Sequence, residues 1–187
     1  MPQTKGDTKM ARITVNETGT NPTVLLSTTI NDLTGLINGN ISDANVLSVT
    51  CLQDITITSS TGIYSYVDFC SKDINKLTTP ADNEVSMNIV IDPTAYFGNT
   101  SANATSAAGR GIANISQNKV PCQFLVVWNS NDVANITANG IQSLTNVYYS
   151  SGTGYVSSLA PTAAPDAPVF VTPISIAVDG TMYTSRS

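Results

Sequence analysis

The sequence predicts a mainly β protein: a β-sandwich or barrel with one short helix, a long loop and an extended N-terminal arm. Charged residues make up only 11% of its 187 positions, and Thr, Ser and Asn stand where Lys and Glu usually cover a surface. That exchange disfavours long helices and favours pleated strands. From Val46 onward, apolar residues recur at every second position in several segments, the period of a half-buried strand. A hydrophobic content of 41% completes the case. A chain of this length buries roughly 70% of its unfolded surface, enough for a core without metals or disulfides.

Residues 1 to 10 are polar and read as an arm, followed by a single domain from 11 to 187. "ARITVNE" (11 to 17) and "PTVLLSTTI" (22 to 30) read as strands meeting at Asn21-Pro22. Ile30, Leu33, Leu36 and Ile37 then fall at helical spacing, with Thr29 as N-cap and Asn38-Gly39 as the stop. "VLSVTCLQDITITSS" and "IYSYVDFCS" are predicted strands, joined as a hairpin at Ser60-Thr61-Gly62. The second alternates Ile63, Ser65, Val67 and Phe69 against Tyr64, Tyr66 and Asp68. "EVSMNIVID" puts Val85, Met87, Ile89 and Ile91 on one face.

Residues 97 to 119 are small and polar. A weak helix around Ala104 to Ile115 is opposed by Gly109 and Gly111, so the segment reads mainly as a long loop, mobile in the free subunit. "VPCQFLVVW" is a buried strand, and shorter strands are expected near Ile136, Val147-Tyr148 and Tyr155-Val156. Gly152-x-Gly154 reads as a flexible hairpin tip. In "PVFVTPISIAVDG" the apolar phase slips at Pro173, which fits a bulge or an edge strand. A turn is expected at Asp179-Gly180.

Chemistry finds little to stand on. There is no histidine, which removes most triads and the common zinc sites. Cys51, Cys70 and Cys122 are too scattered for a disulfide framework or a zinc site and read as buried free thiols. The aspartates lie mostly beside turns, and Gly152-x-Gly154 has no following Lys to bind phosphate. The expectation is a protein that is not an enzyme, with no cofactor, catalytic residue or metal site. Neither a secretory signal nor a membrane span is read, and the formal charge of −5 disfavours tight nucleic-acid binding. Lys5, Lys9 and Arg12 against Asp7 give the first 12 residues +2, leaving −7 for the rest.

Three stretches carry a resemblance: "VDFCSKDINKLTTPADNEVSMNIVIDPTAYFG", "VPCQFLVVW" and "YVSSLAPTAAPDAPVFVTPISIAVDG". In order and character, this part of the chain resembles the major tail (tail tube) proteins of long-tailed bacteriophages. The resemblance implies a virion structural protein, assembled in the host cytoplasm. Its subunits would form stacked homo-hexameric rings around a lumen that conducts DNA during ejection. The implied partners are other copies of the chain, other virion tail proteins and double-stranded DNA passing without specific binding. No membrane partner is expected. The expected subunit contacts are Lys5, Lys9 and Arg12 in the arm, Gly109, Arg110 and Gly111 in the long loop, and Pro165 and Pro168 in the Ala/Pro connector. The alternatives are a small jelly-roll capsid or decoration protein of a virus, and then a bacterial adhesin or pilin-like module.

Overall fold

The structure, a computed structural model, describes residues 22–29, 32–39, 45–49, 52–67, 74–99, 105–163 and 170–187. In chain order its elements are β1 (Thr23–Ser27), α1 (Asp32–Asn38), β2 (Leu47–Val49), β3 (Leu52–Val67), β4 (Ile74–Val90), α2 (Pro93–Phe97) and α3 (Ala107–Gln117). There follow β5 (Cys122–Val127), α4 (Val133–Asn139), a 3₁₀ turn (Ile141–Ser143), β6 (Tyr148–Leu159) and β7 (Val171–Arg186). The seven strands form one sheet in the order β2-β1-β5-β6-β7-β4-β3, every pair antiparallel. The protein is mainly β, as its composition requires.

The sheet is rolled. β2 lies at one edge and β3 at the other, yet Val49 and Leu52 are three peptide links apart. Three links span at most about 11 Å, so the two edges approach each other. Inside the roll, one apolar cluster joins Val24 and Leu26 of β1, Phe124 and Val126 of β5, Met87 of β4 and Ile174 of β7 to α3. A second cluster uses the opposite faces of the same central strands. Leu25, Leu125 and Val127 pack there with Leu36 of α1, Ile136 of α4 and Ile141. Burial on both faces explains why "VLL" and "FLVV" are unbroken apolar runs rather than alternating ones. β4 does alternate, and Val85, Met87 and Ile89 point into the core as the sequence implied. Leu36 is fully buried and α1 ends at Asn38, but it begins at Asp32, so Thr29 is not its cap. Strand 11 to 17 and the N-terminal arm lie outside the described residues.

Several expectations are corrected. Four α-helices are present among the described residues in place of one; α3 occupies the middle of the expected loop 97–119, and α2 ends at its first residue, Phe97. Ser106 caps α3 by accepting from the Gly109 amide at 3.2 Å. Ala107, Ile112 and Ile115 are buried in the roll. Each glycine in a helix costs ~1 kcal/mol. Burying each isoleucine returns roughly 1.5–3 kcal/mol, so burial outweighs propensity. Gly111 carries a φ of +73° and kinks the helix, which lets its backbone lie directly against Gly98, the C-cap of α2. A side chain at either position would collide with main-chain atoms of the other helix.

Ser60-Thr61-Gly62 is not a turn: β3 runs through it, and Gly62 faces the Thr79 hydroxyl, which would have to move aside for a Cβ. Gly152 and Gly154 sit mid-strand in β6, beneath the Phe124 ring and the Ala177 carbonyl, rather than at a hairpin tip. Ile136 is helical. β7 continues past Asp179-Gly180 to Arg186. Pro173 is in an interior strand, exposed, while Thr172, Ile174 and Ile176 alternate inward without a slip. The irregularity falls on the facing strand β6, between Val156 and Ser158.

Candidate functional site

β3 and β4 outrun the sheet. β7 pairs with β4 only from Val90 back to Glu84, whose partner on β3 is Thr58. Beyond that fork the two strands continue as a ribbon to Val67 and Ile74. At about 3.3 Å per residue, the nine steps from Thr58 to Val67 extend it by about 30 Å. From Thr58 outward every described residue of β3 is exposed.

The ribbon has a polar neck and an apolar tip. Its neck pairs Thr58 with Glu84, Ser59 with Asn83, Ser60 with Asp82 and Thr61 with Ala81. Asp54 pins the base by accepting from the Asn88 amide at 3.2 Å and from its side chain at 2.9 and 3.0 Å. Between neck and tip lies a bulge, where Gly62 alone stands opposite Thr79 and Pro80. The extra residue on β4 reverses its side-chain phase. Directly opposed residues share a face, so Tyr64 with Leu77 and Tyr66 with Asn75 form one side of the tip. Ile63 with Thr78, Ser65 with Lys76 and Val67 with Ile74 form the other. Without the bulge, Leu77 would leave the tyrosines and Lys76 would join them. The tyrosine rings stack with centroids 6.3 Å apart.

Both faces are open to water. Ile63, Val67 and Ile74 are 63–65% exposed, Tyr64 63% and Leu77 56%. An isolated two-stranded ribbon is at best marginally stable in water, and exposed apolar edges invite pairing. Its described charges are Asp82 and Glu84 against Lys76, a balance of −1. The signal was present in "IYSYV", where both alternating phases are apolar, a pattern no half-buried strand needs.

The residues singled out from sequence are not gathered here. Lys5, Lys9, Arg12, Pro165 and Pro168 lie outside the described residues. Gly109, Arg110 and Gly111 belong to α3, with Arg110 half-buried rather than isolated in a loop. Cys122 is buried in β5, its thiol 3.4 Å from the Gly154 carbonyl oxygen, and burial pushes its pKa up to about 12. A cavity of about 240 Å³ between Thr28, Gln123, Thr153 and Asp179 adjoins it. Among the described residues no three His, Cys, Asp or Glu side chains are grouped to hold a metal ion, and no helix is long and apolar enough to cross a membrane.

No protein family model and no curated protein matches the chain. Solved structures do. One is a chain in the sheath–tube complex of the extracellular contractile injection system PVC, in the extended state, with a TM-score of 0.48, 10% identity and 88% of each chain covered. Another, in the tail of the empty GTA particle with C6 symmetry, has a TM-score of 0.47 and 10% identity, covering 76% of this chain and 88% of that one. A third, in the virion of the native gene transfer agent particle, has a TM-score of 0.46 and 10% identity, covering 78% and 92%.

Proposed function

We propose that the chain is a structural subunit of a virion tail tube, built from stacked hexameric rings around a lumen that passes double-stranded DNA. The observation that carries this reading is the β3–β4 ribbon, which reaches beyond the body with apolar side chains on both faces. A monomer would leave that surface in water; an assembly covers it. The order of segments in the sequence supports the same reading, as does the scarcity of charge on surfaces that neighbours must desolvate. A net charge of −5 suits a conduit, because each phosphate neutralised by a basic wall would release counterions and hold the DNA. Lys5, Lys9 and Arg12 would dock the arm on an adjacent ring, and the Ala/Pro connector with Pro165 and Pro168 would lie at a subunit boundary. No cofactor is needed for such a role. A jelly roll calls for eight strands in two sheets, whereas the described residues form one rolled sheet of seven.

Negative-stain microscopy of the purified full chain tests the proposal. Rings or tubes with an open channel wide enough for duplex DNA are expected. Closed shells, or monomers at every concentration, would overturn it.

A further inference from the structure

We infer that the two faces of the ribbon tip are a complementary pair: the Ile63–Val67–Ile74 face of one copy packs on the Tyr64–Tyr66–Leu77 face of the next. This rests on the reading of the chain as a self-assembling subunit and specifies which surfaces meet. The two faces are comparable in size. Taking a large apolar side chain as roughly 200 Å², the exposed fractions leave about 390 Å² on the aliphatic face and about 310 Å² on the aromatic one. Either is well below the ~800 Å² per partner of a stable binary complex. A ribbon that met only one neighbour through one face would bind weakly and leave the other face wet. Lying between two copies covers both, and repetition around a closed ring compensates for the weakness of each contact.

Charge also distinguishes the two faces. Lys76 is the only charged side chain among the described tip residues (63–67 and 74–78), and it stands on the aliphatic face opposite Ser65. Packing two aliphatic faces together would bring Lys76 against its own copy. Packing that face on the next subunit's tyrosines places the ammonium over electron-rich rings, where it is attracted. The contact is therefore head-to-tail, the kind that generates rings or filaments rather than two-fold dimers. The bulge at Gly62 makes this arrangement, since it alone keeps Lys76 off the aromatic face and brings Leu77 onto it.

The test uses three full-length variants with threonine, which retains strand propensity. The first is Ile63→Thr/Val67→Thr/Ile74→Thr, the second Tyr64→Thr/Tyr66→Thr/Leu77→Thr, and the third carries all six changes. Sedimentation velocity reads assembly, and urea unfolding checks that each variant keeps its body intact. Both single-face variants should raise the concentration needed for assembly more than tenfold. Added at one part in ten, each should also shorten wild-type assemblies, because it still docks through its remaining face. The six-site variant should neither assemble nor interfere. Lys76→Gln should weaken assembly by up to about tenfold. If wild type assembles and either single-face variant assembles equally well, the pairing is wrong and that face serves another partner. Interference by the six-site variant would place the contact elsewhere. A wild-type chain that never assembles would instead defeat the proposed function itself.

Discussion

Replacing Gly111 by alanine should be among the most damaging single-methyl additions in this protein. Its φ of +73° with a ψ of 161° lies in a region that only glycine occupies comfortably, and forcing another residue there costs about 1–3 kcal/mol. The added Cβ would also press into the main chain at Tyr96, Phe97 and Gly98, where no flexible side chain can yield. Overpacking of this kind costs typically 1–3 kcal/mol, so the total is about 2–6 kcal/mol. Against a stability of roughly 5–15 kcal/mol, that is a substantial share. For a chain of this length it corresponds to a fall in Tm of about 5–20 °C.

Gly180 supplies the control. It has a φ of +83° but open space around a new Cβ, so Gly180→Ala should show the backbone cost alone, about 1–2 kcal/mol. Urea unfolding followed by circular dichroism, with Trp128 fluorescence as a second probe, measures both. If Gly111→Ala unfolds at the wild-type midpoint, or no earlier than Gly180→Ala, the close approach of α2 and α3 does not stabilise the fold as argued.

Exchanging neighbours in Lys76→Leu/Leu77→Lys puts the ammonium on the tyrosine face and the leucine on the aliphatic one; assembly by sedimentation should be lost while the unfolding stability changes by less than about 1 kcal/mol, as expected for an exposed site. Ile112→Ala should cost about 2–5 kcal/mol in the same unfolding assay, because Ile112 is 1% exposed in the core that the sequence pattern left as a loop. Cys122 links stability to alkaline pH. Its pKa is about 12 when folded and 9.0 when unfolded, so its contribution is complete below pH 9.0 and is lost as pH rises toward 12. Cys122→Ala should flatten that part of the stability profile, and a profile identical to wild type would exclude the thiol as its source. Duplex DNA should bind the assembled protein weakly, and more weakly as salt rises, in a filter or fluorescence assay; tight binding that ignores salt would contradict a passive wall.

The inner strands were legible because local pattern and burial agree. Val85, Met87 and Ile89 alternate because β4 is covered on one side only, and "FLVV" is continuous because β5 is covered on both. The mainly β class, the stop of α1 at Asn38 and the burial of Cys122 followed from residue chemistry alone. Tertiary structure decided the rest. Whether Ser60-Thr61-Gly62 turns or runs on depends on whether Asp82 and Ala81 lie opposite Ser60 and Thr61 to pair with them. Residues 107 to 117 are weakly helical by composition and become α3 because the roll offers Ile112 and Ile115 a core and Gly98 leaves room beside Gly111. Sheet order, which sets Leu25 beside Leu125 and Glu84 beside Ala177, joins residues nearly a hundred positions apart. Local propensity acts over a few residues, while pairing and packing are settled among whole strands. The two-faced ribbon was thus visible as an alternation in "IYSYV", but its freedom from the body appears only where β7 stops following β4.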